Sequence, residues 1–400
     1  MSLHPAVTAA EPAATWKPDG SPGTPPPRLL SLDVFRGLAV AGMILVTDPG
    51  TYNAVYRPLL HATWDGATAT DMIFPAFLFI VGVALTLSLA SGIRRGYTRT
   101  RLVWHTLRRS AAIFGIGLLV NGFPGYNLHT LRIPGVLQRI ALCYLFGSIL
   151  YLAGKRSAIL AGATLAILAG YWALLKLVPV PGFGAGRLDS LGNLGAYIDR
   201  AILGTRHMWP WGLTPSHGVT YDPEGLLSTL PAIATLLLGI LAGEWLRTGY
   251  SAKRKTLALA LAGAILSMAG WLLHPLLPIN KKLWTSTFVL FSGGVSLLVF
   301  SFCYAVLDLR RWKWWAPPAL VFGTNAIVAF ALSNVITTLT DRMHVPVGGG
   351  ELTLHAWGYQ FIFASWLRPV NASLAYAIAI VVLNFLFLLP LYRRRIFLRV

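Results

Sequence analysis

Residues 61–82 read His-Ala-Thr-Trp-Asp-Gly-Ala-Thr-Ala-Thr-Asp-Met-Ile-Phe-Pro-Ala-Phe-Leu-Phe-Ile-Val-Gly. A histidine, a tryptophan and two carboxylates (His61, Trp64, Asp65, Asp71) stand immediately before a long apolar run, and Asp48 closes the apolar run before them. An imidazole is the ordinary side chain best suited to take up and release protons near neutral pH. A carboxylate beside it can hold its tautomer and stabilise the imidazolium. His61 with the carboxylates Asp48, Asp65 and Asp71 on the same side is therefore the candidate functional cluster, its chemistry proton transfer. An aspartate one turn into an apolar segment is costly in lipid unless it faces the interior of a bundle.

The elements that must position these groups are membrane spans. Of the 400 residues, 55% are hydrophobic and 12% charged, with mean hydropathy +0.62; a soluble domain carries about twice that charged fraction. Uncharged gaps at 72–93, 110–131, 157–175, 225–243, 256–280, 283–307, 314–340 and 369–392 are each near the roughly 20 residues a helix needs to cross the hydrocarbon. Two shorter stretches, 33–50 and 134–153, are interrupted by charge. The expectation is an all-α polytopic bundle of about ten spans over residues 29–400, after a disordered tail at 1–28 rich in Pro and Ala.

The formal charge of +19 would suit nucleic acid, but the basic residues form no single patch. About two thirds of the 33 Lys and Arg lie in alternate inter-span segments, at the N-terminal segment, 93–109, 155–156, 247–255, 310–313 and 393–399. That alternation predicts cytoplasmic termini and contact with anionic lipid, and it argues against a nucleic-acid partner. Cys143 and Cys303 fall inside apolar runs and offer neither a disulfide framework nor metal spacing. No glycine-rich phosphate loop, nucleophile elbow or fixed-period repeat occurs.

Taken in order, Ser31 is placed to cap the first helix, with Asp33 and Arg36 paired at i, i+3. Arg94–Arg109 is a basic segment whose last member, with Arg36, could hold phosphates. Arg139 sits a turn inside the fourth span, where it calls for an anionic partner, expected to be a carboxylate of the His61 cluster, or else snorkels to the interface. The external segment 179–223 carries aromatics and carboxylates of the kind a sugar-binding surface uses, and Asp222 near its end is a candidate helix cap. Ile279-Asn280-Lys281-Lys282-Leu-Trp284 puts two lysines on the less basic side, against the topology rule, which implies a function or a buried partner. Asn325 and Asn334 read as helix–helix contacts, and 341–368 as a surface or re-entrant piece with His344, Glu351 and His355.

Ser31-Leu-Asp-Val-Phe-Arg-Gly37, His61-Ala-Thr-Trp-Asp-Gly66 with Asp71 and Phe74-Pro75, Arg132-Ile-Pro-Gly-Val-Leu-Gln-Arg139, Tyr221-Asp-Pro-Glu-Gly225 and Ile279-Asn-Lys-Lys-Leu-Trp284 occur in one order. Together they resemble the heparan-α-glucosaminide N-acetyltransferase family, bacterial members included, over about residues 29–400. The resemblance implies a transmembrane acyltransferase of a bacterial inner membrane, moving an acetyl group from cytoplasmic acetyl-CoA to an amino sugar on the periplasmic side. It implies His61 as the active-site histidine near that face, Asp71 as its acidic partner, and a homodimer. Where relatives tend to carry asparagine, this chain has Asp48, an acceptor in place of a donor amide.

Aminolysis of a thioester needs a base for the amine proton and donors for the developing oxygen charge. On that chemistry His61 and Asp71 are expected to be catalytic. Asp48, Trp64, Arg132, Arg139, Asp222, Asn280 and Lys281 are the expected supporting or substrate-binding residues, Arg36 and Arg109 the donor-binding ones, and no metal is called for. A secondary transporter of amino sugars or their acetylated forms is the alternative from a different class. Transporters show paired broken helices in two halves, and the sequence has no such symmetry.

Overall fold

The computed structural model describes residues 29–154, 157–348 and 350–398. The tail expected at 1–28 lies outside them. The described chain is an all-α bundle in the order α1 (Leu30–Thr47), α2 (Ile73–Arg94, entered through a 3-10 turn at Thr70–Met72), α3 (Arg99–Gly122), α4 (Val136–Ala153), α5 (Ser157–Leu177), α6 (Leu194–Leu203), α7 (Thr229–Leu246), α8 (Ala252–Leu272), α9 (Ser286–Cys303), α10 (Ala316–Thr324), α11 (Ala326–Arg342), α12 (Leu354–Trp357) and α13 (Pro369–Arg393). Two short antiparallel ribbons, β1–β2 (Leu213–Thr214 with Gly218–Val219) and β3–β4 (His344–Val347 with Gly350–Thr353), decorate one end.

Among the described residues eight helices are long and apolar enough to cross a membrane, or nine if α10 and α11, bent by 83° at Asn325, are one span. This is a multi-pass membrane protein. The expected third span, 110–131, is displaced: α3 starts at Arg99, where the Thr98 side chain accepts the Arg101 N–H at 3.3 Å, and ends at Gly122. Arg99, Arg101, Arg108 and Arg109 fill its first half, so only the second half is apolar.

The most buried helix, α7, packs along α2, and glycines set their spacing. A Cβ on Gly82 would lie 2.1 Å from the Leu236 carbonyl oxygen, and one on Gly239 2.0 Å from that of Phe79. Small residues let helix backbones approach closely where lipid offers no hydrophobic drive between helices. Gly37 and Gly323 do the same for α1 against α10. Ser31 does not cap α1 with its side chain; the Asp308 carboxylate accepts the Ser31 N–H instead, at 3.1 Å.

The chain crosses back and forth, so inter-helix segments alternate between two ends. One end collects most of the arginines and lysines; Asp33, Phe397 and Leu398 line one cavity there, which brings both described termini to that basic end. The other end carries the 48–69 segment, the 178–228 segment with α6 and β1–β2, the 273–285 segment, and 343–368 with β3–β4 and α12. Of the two asparagines expected between helices, Asn334 donates to its own helix at Phe330, and Asn325 binds the segment after α13.

Candidate active site

The turn that enters α2 builds the site. Asp71 lies in the 3-10 turn and is 1% exposed. Its Oδ2 accepts the Ala62 N–H at 3.0 Å and the Thr68 N–H at 2.9 Å, with the Thr68 hydroxyl at 3.1 Å. Its Oδ1 accepts from His61 Nδ1 at 2.7 Å. A buried carboxylate survives only when its lone pairs are met, and here a ten-residue loop closes on itself to meet them. The consequence is a fixed tautomer: with Nδ1–H donated to Asp71, the His61 Nε2 carries the lone pair. The His61 side chain is 51% exposed, so that nitrogen can be reached from outside.

The 273–285 segment completes the surroundings. Gly66 N–H bonds the Ile279 carbonyl at 2.7 Å, and Asn280 Nδ2 bonds Asp65 at 3.0 Å. Lys281 Nζ is thereby held 3.2 and 3.4 Å from the two His61 ring nitrogens and 3.8 Å from Asp71 Oδ1. Burial pushes the Lys281 ammonium below the usual lysine range, with Asp71 and Glu224 pulling the other way. Lys282 lies 5.5 Å from the Trp64 ring centroid and 5.6 Å from that of Tyr221, which meets Trp64 edge-on. The Trp64 N–H bonds the Leu188 carbonyl at 2.9 Å, tying the 178–228 segment to the site.

Several expected site residues are committed to one another. Arg132 forks onto Asp222 at 2.9 and 2.6 Å and reaches Glu224 at 2.6 Å. Asp222 also accepts the Trp209 N–H, so it is a strut between loops and caps no helix. Although burial works against its charge, Glu224 and Asp222 hold the Arg132 guanidinium above the ordinary arginine value. Arg139 has no carboxylate partner among the described residues, contrary to expectation. Its Nη2 donates to the Gly225 carbonyl and to Ser228, and its guanidinium lies 5.0 Å from the Trp284 ring centroid. Asn280 spends its oxygen on Leu283 N–H at 2.8 Å and its amide on Asp65, so it positions Lys281 and has little left for a substrate.

Asp48 belongs to a different cluster. It accepts from Ser333 at 2.9 Å and from Thr337 on α11, and burial raises its carboxyl above the usual range. Beside it His355 Nδ1 donates to the Asp341 carboxylate at 2.8 Å, Nε2 lies 3.1 Å from the Pro49 carbonyl, and the ring stacks on Tyr376. The segment 343–368 is therefore folded onto the end of α1. Thr68 and Glu224 were not singled out by the sequence reading; the Thr68-Ala-Thr-Asp71 spacing, a hydroxyl three residues before a carboxylate, is the signal that marks the first.

Arg36 and Arg109 share a cavity of about 240 Å³ at the basic end, lined also by Phe77, Leu137 and Tyr144. Arg36 bonds Asp33 at 3.0 Å and the Gly323 carbonyl at 3.3 Å. Arg109 packs over the Tyr144 ring at 5.0 Å, and its buried Nε has no hydrogen-bond partner among the described residues. A smaller cavity of about 20 Å³ continues the space: Phe77, Leu137, Ile140, Ala326 and Ile327 line both, and Ile73 and Phe74 line only the second. Phe74 meets Trp284 edge-on at 5.2 Å, one turn from Asp71.

The family model for the catalytic region of heparan-alpha-glucosaminide N-acetyltransferase matches residues 28–277. The chain belongs to this family. It is 32% identical over 365 residues to heparan-alpha-glucosaminide N-acetyltransferase of Homo sapiens, covering 79% of this chain and 54% of that protein. The Mus musculus protein of the same name is 30% identical over 357 residues, covering 77% and 54%. The chain thus spans about half the length of the curated relatives it matches. The N-acetyltransferase family match contains His61, Asp71 and both cavity arginines and ends at residue 277, within the 273–285 segment and short of Lys281.

Proposed function

We propose that the protein is an acetyl-CoA-dependent N-acetyltransferase of the membrane, with a glucosamine-like amine as acceptor. The observation that carries this reading is His61 pinned through Nδ1 by a fully bonded, buried Asp71, which leaves the lone pair on Nε2, with the Lys281 Nζ 3.4 Å from it. The donor enters from the basic end, which the charge asymmetry makes cytoplasmic, and the acceptor meets His61 on the opposite, periplasmic face of a bacterial inner membrane. The buried, unpartnered Arg109 Nε and the neighbouring Arg36 fit the phosphates of coenzyme A. The two adjoining cavities give its narrow arm a direction toward Phe74 and the His61 end.

In this mechanism the acceptor nitrogen attacks the thioester carbonyl while His61 Nε2 takes its proton. The C–N bond forms, the C–S bond breaks, and the thiolate leaves with a proton returned from the imidazolium. Asp71 stabilises the imidazolium in between. Lys281, the cation nearest His61, stabilises the oxygen charge that develops on the acyl carbon. Domain boundaries at 1–28 and 29–400, and a homodimer, belong to the same proposal.

The test uses purified protein in detergent with labelled acetyl-CoA and glucosamine, comparing the native chain with His61→Ala. Labelled N-acetylglucosamine from the native chain alone is the expected result. Equal product from both removes His61 as the base. One observation favours the transporter alternative, the helix broken at Asn325 beside the cavity. Sugar accumulation in vesicles without acetyl-CoA would decide for it.

A further inference from the structure

Asn325 is 1% exposed and sits at the break between α10 and α11, with φ −127° and ψ 44°, outside both helical ladders. A buried amide must find partners, and this one finds them on the far end of the described chain. Its Nδ2 donates to the Ile396 carbonyl at 3.1 Å and its Oδ1 accepts the Leu398 N–H at 3.0 Å. The amide therefore reads two backbone positions either side of Phe397, as a neighbouring strand would.

The geometry before that clamp makes the chain turn back. After α13, Arg395 adopts φ +56°, a left-handed conformation that a non-glycine residue takes at a cost, and Ile396 N–H bonds the Leu391 carbonyl at 2.9 Å. The reversed segment lays Phe397 and Leu398 into the wall of the 240 Å³ cavity that Arg36 and Arg109 also line. Arg393, Arg394 and Arg395, all exposed, stand at the turn just before it.

We propose that Ile396–Leu398, clamped by Asn325, is a wall of the donor site, and that Phe397 packs against the adenine nucleotide end of the donor. This rests on the donor reading above. An aromatic ring beside guanidinium groups is what a nucleotide requires, one surface for the base and charge for the phosphates. Asn325 is then a positioning residue, acting through the backbone it holds.

The experiment measures transfer to glucosamine by the full chain from acetyl-CoA and, separately, from S-acetyl-pantetheine, which lacks the nucleotide. Phe397→Ala accompanies Asn325→Leu, and the melting temperature in detergent is read for both. Both variants should raise the KM for acetyl-CoA about tenfold, with kcat and the glucosamine KM unchanged and no loss with S-acetyl-pantetheine. An unchanged acetyl-CoA KM in both variants overturns the proposal. A lowered KM also overturns it, because the segment would then obstruct the donor. Equal losses with both donors would show a general loosening of the cavity and overturn the nucleotide contact. If the native chain neither turns over nor binds coenzyme A, the donor reading itself fails and this inference with it.

Discussion

Replacing Asp71 by asparagine tests the geometry of the site more sharply than removing the side chain. The Oδ2 position faces two backbone donors, Ala62 N–H at 3.0 Å and Thr68 N–H at 2.9 Å. An amide nitrogen there would meet donors with donors, forfeiting two buried hydrogen bonds of about 1 kcal/mol each. The asparagine oxygen must therefore take that place, which turns its NH₂ toward His61 Nδ1, 2.7 Å away in the native chain. Nδ1 becomes an acceptor, the ring proton moves to Nε2, and the lone pair that collects the substrate proton is gone. General-base catalysis contributes roughly 10² to 10⁴ in rate, so kcat for Asp71→Asn should fall by about that range, with coenzyme A binding retained. Asp71→Ala, which imposes no tautomer, should fall no further than the asparagine variant. The assay is steady-state transfer of labelled acetyl to glucosamine, paired with a binding measurement for coenzyme A. An Asp71→Asn enzyme within about threefold of native activity would refute the tautomer argument.

Lys281→Met should lower kcat by about 10²-fold, the usual cost of losing one oxyanion donor, while the KM for acetyl-CoA stays put; an unchanged kcat removes Lys281 from the chemistry. Arg132→Met leaves Asp222 and Glu224 buried without their counter-charge and should cost about 3–5 kcal/mol of stability, read as a fall in melting temperature in detergent. Burial and the nearby Asp222 charge raise Asp199 to about pKa 7, against the N–H of Leu226. Its folded value exceeds its unfolded one, so the folded state binds more protons and stability falls as pH rises from about 4 to 7. Asp199→Asn keeps an acceptor for Leu226, so it should melt higher than the native chain at pH 8 and lose that pH dependence; identical melting curves at pH 5 and 8 for both proteins would contradict this. Asp48→Asn should be neutral or stabilising at pH 7, since burial already disfavours the charge, whereas Asp48→Leu should lower the melting temperature by stranding the Ser333 hydroxyl, Thr337 keeping the Ser333 carbonyl as acceptor. A destabilised Asp48→Asn would mean the charge itself is needed.

The sequence by itself determined the class and the heart of the site. Membrane-length uncharged stretches leave a chain of this composition no stable form but a helical bundle, and the alternation of Lys and Arg distinguishes two ends. His61 and Asp71 were legible because both lie within one ten-residue loop, so chain connectivity alone keeps them close. Asp33 with Arg36 was legible for the same reason.

Only the tertiary structure decided which distant groups meet. Asp48, thirteen residues before His61, is drawn to α11 by Ser333 and Thr337, while Lys281, 220 residues after it, is brought onto the imidazole. Arg139 looked short of a carboxylate because its spacing marks burial and says nothing of what else is buried; a carbonyl and a hydroxyl take its Nη2 and an indole lies beside the guanidinium, while Nε and Nη1 have no hydrogen-bond partner among the described residues. The bend at Asn325 and the backbone it clamps were likewise hidden, since an asparagine in an apolar run reads the same whether it binds a neighbouring helix or a strand-like segment 71 residues away. Periodicity and charge act along the chain and can be read there, whereas side-chain partners are chosen by packing, which the one-dimensional pattern does not encode.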